Sequence, residues 1–177
     1  MDKGFVVWLT GLPASGKTTV ALDLEKELRS RGKRVEVMDG DEVRKGLSKG
    51  LGFSKEDRET HAMRVAYVSK LLSRNGVAVI VALISPYRSF RAAIREDIPD
   101  FIEVFVRCPV DECAKRDPKG LYAKAYAGEV KDFTGVDDPY EDPEDPELVL
   151  DTVAEHTHES VAKILTWLEG KGYLNTT

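Results

Sequence analysis

The stretch "GLPASGKT", residues 11–18, has the spacing G-x-x-x-x-G-K-[ST]. It follows a short apolar run, "FVVWLT" (5–10), and leads into "TTVALDLEKELRSRG" (18–32), whose apolar residues recur at helical spacing. A strand, a glycine-rich turn and a helix are the context in which this motif binds nucleotide phosphates, with the lysine on the β- and γ-phosphates and the threonine on Mg²⁺. We therefore predict a phosphate cradle for ATP, formed by Gly11, Leu12, Pro13, Ala14, Ser15, Gly16, Lys17 and Thr18.

Beyond the cradle, strand and helix patterns alternate along the chain. Further strands are predicted at 34–38, 77–83, 101–106 and 148–152. Further helices are predicted from Ser54, which forms a capping box with Asp57, to about Asn75, and from about 159 to 169. This alternation predicts a single α/β domain over 1–177 with a P-loop NTPase-like three-layer fold, a parallel sheet of about five strands flanked by helices. Residues 117–147 fit neither period and are predicted to form a lid loop.

Composition limits the class of partner. The net charge is −5, which argues against a nucleic-acid binder. The acidic run "DDPYEDPEDPE" (137–147) is either a solvated edge of the lid, which we favour, or a surface for a partner. The longest apolar run is too short to span a bilayer, and residues 1–10 lack the layout of a signal peptide. Two cysteines, Cys108 and Cys113, make no disulfide framework. The sequence thus predicts a cytoplasmic protein that binds small molecules, neither nucleic acid nor membrane, with a homodimer as one option.

Two carboxylates follow the second predicted strand. The chain has no N-K-x-D guanine motif, which disfavours GTP, and the strand at 77–83 leads to Ser85 where a Walker B aspartate would stand. Asp39 and Asp41 are the candidate replacements, because open α/β sheets bind ligands at the carboxyl ends of their strands. A solvated "DGD" turn is the alternative. Asp39 is expected to support Mg²⁺, and Asp41 to orient or deprotonate the hydroxyl that accepts the phosphate.

Several longer motifs accompany a series of basic residues at predicted element ends. The motifs are "DGDEVRKGL", "LGFSKEDR", "ISPYR" (84–88), "RDPKGLY" (116–122), "AGEVKDFTGVDDPYE" and "PELVLDT". The basic residues are Arg44, Arg58, Arg64, Arg88, Lys119 and Lys124. Over most of its length the chain resembles the adenylylsulfate kinases, which use MgATP to phosphorylate the 3′-hydroxyl of adenosine 5′-phosphosulfate. A kinase of another small anionic molecule and a non-catalytic ATP-binding scaffold remain the alternatives.

The resemblance assigns roles to individual residues. It implies ATP and Mg²⁺ as cofactors, Thr18 and Asp39 at the metal, and Arg116 beside ATP. It implies catalytic roles for Lys17, Asp41 and Ser85. It implies that adenylylsulfate is bound by Asp41, Arg44, Phe53, Arg58, His61, Ile84, Ser85, Lys119 and Phe133. The chain departs from the usual family pattern at Glu42, Lys45 and His61, where the family has Asn, His and Asn; the imidazole of His61 keeps a hydrogen-bonding group.

Two of these implied roles can be weighed by chemistry. The family description gives the serine at position 85 a phosphoserine intermediate, but nothing near it in sequence is an evident base, so a positioning role with direct transfer is simpler. Phe53 and Phe133 both lie among Gly, Ser, Thr or Asp, as loop residues do. We expect them to stack on the adenine of adenylylsulfate from two sides, with Phe133 delivered by the lid and with little effect of either ring on stability.

Overall fold

The computed structural model describes residues 3–175. In this part of the chain the strands are β1 Phe5–Thr10, β2 Val35–Asp39, β3 Ala78–Ala82, β4 Phe101–Arg107 and β5 Leu148–Asp151. They form one sheet in the order β2-β3-β1-β4-β5, and every neighbouring pair is parallel. The helices are α1 Lys17–Ser30, α2 Gly40–Lys45, α3 Lys55–Ser73, α4 Arg88–Asp97, α5 Val110–Arg116, α6 Leu121–Tyr126 and α7 Thr157–Gly170. The predicted α/β fold with five parallel strands is confirmed.

Strand β1 is the centre of the molecule, with all six of its residues buried. Phe5, Val7 and Leu9 belong to the core formed with α1 and α7, whereas Val6 and Trp8 belong to the core formed with α3 and α4. This alternation follows from the two-residue period of a strand. Both faces of the sheet are therefore covered, as a parallel sheet requires.

Helix boundaries agree with the sequence signals at two points. The Ser54 hydroxyl accepts the N–H of Asp57 at 3.1 Å, as the N-cap prediction requires. The carboxylate of Asp57 accepts the N–H of Gly52, not that of Ser54, so only half of the capping box is present. Gly32 follows α1 with φ +77°, the left-handed geometry that ends many helices.

No helix within residues 3–175 is long and apolar enough to cross a membrane.

Residues 117–147 are more ordered than a loop prediction implies. They include α6, and they bury Tyr122 and Phe133 in a small cluster with the two cysteines, Cys108 and Cys113. The rings of Tyr122 and Phe133 meet edge to face, with centroids 4.9 Å apart. Phe133 lies in a loop, as expected, but only 8% of it is exposed. We therefore expect its loss to lower stability, in contrast to the sequence-based expectation, because removing the ring leaves a hole among buried side chains.

The acidic run is solvated in part and bound in part. Four of its acids are exposed, as expected of a solvated edge, and the other three are half-buried: Asp137, Asp142, Glu144 and Asp145 against Asp138, Glu141 and Glu147. We call residues 137–147 the strap. Arg88 donates to the Asp142 carbonyl at 2.7 Å, and Arg95 pairs with Glu147. Tyr140 stacks on Phe105, at 6.0 Å between centroids, and its hydroxyl lies 2.9 Å from Thr10 Oγ1. Arginines of α4 thus fix the strap across the end of the central strand.

Candidate functional site

The backbone of the cradle bends at its two glycines, Gly11 and Gly16. A Cβ on Gly11 would lie 2.5 Å from the carbonyl oxygen of Val106, so a larger residue cannot occupy this position without moving β4. Gly16 has φ +105°, and Ala14 also has a positive φ of 62°. Helix α1 begins at Lys17, so the N–H groups and the partial positive charge of its first turn face this bend. The backbone is therefore shaped to bind an anion.

Lys17 is buried inside the bend of the cradle. Its ammonium donates to the carbonyl oxygens of Gly11 and Leu12 at 2.9 and 2.7 Å. Burial lowers the pKa of Lys17 from 10.5 to about 8. A phosphate oxygen at this position would compensate the desolvated charge and favour the protonated lysine.

Thr18 and Asp39 meet as predicted for a metal site. The Thr18 hydroxyl donates to the Asp39 carboxylate at 2.7 Å, joining the start of α1 to the end of β2. The second oxygen of Asp39 accepts the N–H of Asp41 at 3.1 Å and so caps α2. This cap fixes the direction of the Asp39 carboxylate. A hydroxyl and a carboxylate are the oxygen ligands that Mg²⁺ prefers beside a phosphate.

Arg116 lies on the outer side of the cradle. It donates to the Thr152 carbonyl at 2.7 Å, and the Thr152 hydroxyl donates to the Ser15 carbonyl at 2.8 Å. These residues line a cavity of about 450 Å³ that continues from the cradle. Thr152 was not among the predicted site residues, although its place directly after β5 is the sheet edge where ligands bind.

On the inner side of the cradle lies a second cavity of about 260 Å³. Of the predicted site residues it brings together Pro13, Ala14, Lys17, Thr18, Asp39, Asp41, Arg44, Phe53, Arg58, His61, Ile84, Ser85, Lys119 and Phe133. Residues that the sequence analysis missed also line it, among them Gly40, Leu83, Pro86, Asp117, Tyr122 and Thr134. The hydroxyl of Thr134 is buried without a hydrogen-bond partner among the residues described. We call this cavity the inner cleft.

Two arginines and an exposed ring form one wall of the inner cleft. Phe53 is 55% exposed, and the guanidinium carbons of Arg44 and Arg58 lie 4.5 and 5.5 Å from its centroid. Arg58 also donates to the Phe53 carbonyl at 2.8 Å and to the Asp132 carbonyl in the predicted lid. The wall therefore offers guanidinium donors suited to phosphate or sulfate oxygens beside an aromatic face.

Three of the six basic residues noted in the sequence lie outside the cleft. Arg88 is bound to the strap, and Arg64 donates to the carbonyl oxygen of Leu47. Lys124 does not line the cleft either. The cleft thus takes its positive charge from Arg44, Arg58, Lys119 and the cradle lysine.

His61 lies at the back of the cleft as a neutral imidazole. Its Nδ1 is 2.8 Å from the Ser48 hydroxyl, and both side chains are buried. Burial, with a smaller contribution from Arg44, Arg58 and Arg64, lowers the pKa of His61 to about 4. At neutral pH His61 is therefore a hydrogen-bonding group without charge, which fits its place where the family has an asparagine.

An ion pair crosses the mouth of the cleft. Lys119, in the predicted lid, pairs with Asp41 on α2, and both side chains are more than half exposed. The pair places the candidate base beside a cation of the predicted lid. Glu42 and Lys45, two of the departures from the family pattern, pair with each other on the outer face of α2, and neither lines the inner cleft.

Ser85 lies at the end of β3 in a strained conformation. Its φ is +41°, which is uncommon for a residue with a side chain. Its hydroxyl is 3.3 Å from the Leu83 carbonyl and 2.9 Å from the indole nitrogen of Trp8. Among the described residues, no carboxylate or imidazole is hydrogen-bonded to this hydroxyl. Hydrogen bonds thus fix the Ser85 side chain, but it lacks the adjacent base that activates a nucleophile.

Comparison with known proteins places this geometry in a family. The family model described as adenylylsulphate kinase matches residues 3–151. The adenylyl-sulfate kinase of Rippkaea orientalis is 55% identical over 173 residues, which are 98% of this chain and 96% of that protein. A probable bifunctional SAT/APS kinase of Sorangium cellulosum is 58% identical over 171 residues, 97% of this chain but 29% of that longer protein.

A solved structure agrees. The APS kinase of Mycobacterium tuberculosis in complex with AMPPNP and APS superposes with a TM-score of 0.92 at 42% identity, covering 96% of this chain and 99% of that one. The likeness covers the cradle, both cavities and the predicted lid. The chain belongs to the adenylylsulphate kinase family.

Proposed function

We propose that the protein transfers the γ-phosphate of ATP to the 3′-hydroxyl of adenosine 5′-phosphosulfate, which gives 3′-phosphoadenylyl sulfate and ADP. One observation carries the proposal: the two cavities meet at the cradle. Ala14, Lys17, Thr18 and Pro118 line both of them. ATP bound through the cradle on the outer side would present its terminal phosphate to a molecule in the inner cleft. The arginines and Phe53 suit an anionic nucleotide there.

Mg²⁺ fits this site. Thr18 and Asp39 would hold the ion, directly or through water, at the cradle where the β- and γ-phosphates lie. When bound, the ion neutralises charge that develops on the transferred phosphoryl group. Lys17 supplies a further positive charge from the protein itself.

The chain's own residues position the receiving hydroxyl. Asp41 is the candidate that accepts its proton, since it is the carboxylate of α2 that lines the cleft beside the cradle. Asp39 is not available for this role because Thr18 and the N–H of Asp41 already occupy its oxygens. Lys119 would release Asp41 as its ammonium turns to the anionic substrate. Phosphoryl transfer needs little more from a protein than such positioning and charge.

A panel of phosphate acceptors tests the function. ADP release is followed with ATP and, in turn, adenylylsulfate, adenosine 5′-monophosphate and gluconate. Turnover with adenylylsulfate at the lowest KM is expected. Preference for another acceptor would make the protein a different small-molecule kinase, and the absence of ADP release with all of them would leave an ATP-binding scaffold.

Ser85→Ala tests whether the serine carries phosphate. With direct transfer, we expect activity to fall moderately, about tenfold or less, as for loss of one neutral hydrogen bond. Wild-type protein incubated with γ-labelled ATP and then denatured should retain no label. Stoichiometric label at Ser85 that passes to adenylylsulfate would instead establish a phosphoserine intermediate.

Phe53→Ala tests the aromatic wall. Base–aromatic stacking is worth about 1–3 kcal/mol, so adenylylsulfate affinity is expected to fall about 5- to 150-fold, with ATP affinity and melting temperature nearly unchanged. Phe133→Ala is the matched comparison, because its ring lines the same cleft but is buried, and its loss should cost about 3–5 kcal/mol of stability. Titration calorimetry measures the loss of affinity, and calorimetry of unfolding measures the loss of stability. Unaltered adenylylsulfate affinity in Phe53→Ala would remove this ring from the binding site.

Two wider features are also proposals. A cytoplasmic location is consistent with free, buried cysteines at 108 and 113. Closure of the predicted lid, residues 117–147, over both nucleotides is supported by the positions of Lys119 and Phe133 on the inner cleft and of Pro118 on both cavities. The homodimer stays a prediction that light scattering can check.

A further inference from the structure

The indole of Trp8 reaches the inner cleft from inside the sheet. Trp8 is completely buried in β1, where it lies opposite Val81 of β3 and Glu103 of β4. Its ring packs against Phe101 with centroids 5.8 Å apart, so its orientation is set by the core. Its N–H donates to the Ser85 hydroxyl at 2.9 Å. The ring of Trp8 is part of the core, yet its polar atom ends at a residue that lines the cleft.

The direction of this hydrogen bond is fixed by chemistry. An indole N–H can only donate, whereas a serine hydroxyl has one proton to donate and two lone pairs that accept. Ser85 must therefore accept from Trp8, which leaves its own proton for another partner. That proton now points to the Leu83 carbonyl at 3.3 Å, a long distance for an O–H···O bond. An oxygen atom of a bound substrate can replace this weak partner.

Hydrogen bonds also hold the backbone around Ser85 in place. Arg91 donates to the Ser85 carbonyl at 2.6 Å, and the Thr10 hydroxyl donates to the Ile84 carbonyl at 2.7 Å. A positive φ at a residue with a side chain persists only where its surroundings impose it. With backbone and hydroxyl both fixed, the Ser85 side chain has one orientation.

We propose that Trp8 is a positioning residue: its indole N–H donates to the Ser85 hydroxyl and so orients it, which leaves the single Ser85 proton to be donated to adenylylsulfate. The phosphate and sulfate oxygens of that substrate only accept hydrogen bonds, so a hydroxyl with its proton directed outward is complementary to them. The inference rests on the proposed function. It deepens that function by assigning a role to a residue that does not touch the substrate.

Trp8→Phe tests the role, because it keeps a ring in the core and removes the N–H. We expect the KM for adenylylsulfate to rise about five- to tenfold, the value of one hydrogen bond, with kcat and the KM for ATP nearly unchanged. In the Ser85→Ala background the same change should have no further effect on KM. Trp167→Phe is the control, since Trp167 stacks on Tyr173 at the far side of the sheet. A normal KM in Trp8→Phe, or an equal rise in both backgrounds, would overturn the proposal.

Fluorescence gives a second readout that requires no turnover and no folded Trp8 variant. In Trp167→Phe the indole of Trp8 is the only one in the chain. Its emission should change when Ser85→Ala removes the hydrogen-bond partner, and unchanged emission would contradict the bond. Failure of the proposed function is distinguishable: wild-type protein would then release no ADP with adenylylsulfate, whereas failure of the Trp8 role leaves wild-type turnover intact and Trp8→Phe equal to it.

Discussion

Lys17→Met is expected to lower kcat by a factor of about 10²–10³, the usual effect of removing one group that stabilises transition-state charge. The lysine is the only one in the cradle, and its ammonium is held inside the bend, where the proposed function places the transferred phosphate. Steady-state kinetics with ATP and adenylylsulfate measure the loss. Lys26→Met is the matched control, because Lys26 lies on the exposed face of the same helix and pairs with Asp23. Near-normal kcat in Lys17→Met would refute the cradle assignment.

The same substitution is expected to stabilise the ligand-free fold. Burial lowers the pKa of Lys17 from 10.5 to about 8, which corresponds to a cost on the order of 3 kcal/mol when the lysine is protonated. The cost is absent above pH 10.5, grows as pH falls from 10.5 to 8, and is complete below pH 8. Urea midpoints should therefore favour Lys17→Met at pH 7 and converge on wild type near pH 10. A lower midpoint in the variant at pH 7 would show that the lysine's hydrogen bonds outweigh its desolvation.

The cradle and the strand-end carboxylates could be predicted because their signals are local. Gly11 to Thr18 are contiguous, and Asp39 follows a strand whose carboxyl end must lie at the ligand-binding edge. Thr152 obeys the same rule after β5 and could have been found by it. Trp8 could not, because its apolar ring explains its burial and nothing in the sequence reveals where its N–H points.

The strap and the cluster around Phe133 escaped prediction for a physical reason. The residues that the strap and this cluster contact are distant in sequence. Their burial therefore leaves no regular spacing of apolar residues in the local sequence. Helix α4 buries Arg91 beside Phe90 and Ile94, and the sequence pattern does not reveal that a charged residue is buried. Phe133 packs on Tyr122 and shares a buried cluster with two cysteines that lie on other segments of the chain. Burial of this kind comes from tertiary contacts, which composition does not record.

Arg91→Met is expected to destabilise the protein by about 3–5 kcal/mol, as for other buried ion pairs that lose one partner. Arg91 is 2% exposed and pairs with the buried Glu103 at 2.9 Å. It also donates to the carbonyl oxygens of Ser85 and Glu141, and so joins the end of β3 to the strap. Urea denaturation measures the loss. Arg95→Met is the control: Arg95 pairs with the same glutamate but is 37% exposed, and its loss should cost about 1 kcal/mol or less.

A double variant separates the effect of the buried Arg91–Glu103 charges from the effect of the hydrogen bond between Arg91 and the Ser85 carbonyl. Arg91→Met with Glu103→Leu removes both buried charges, so a large part of the lost stability should return, because a carboxylate that has lost its buried partner and keeps only the partly exposed Arg95 no longer lies in the core. The Ser85 carbonyl still lacks its donor in that protein, and its strained backbone is free to relax. We therefore expect the double variant to regain stability while its KM for adenylylsulfate stays raised. If stability and KM recover together, Arg91 acts on the site only through the fold; if KM stays high in a stable protein, the arginine holds Ser85 in place.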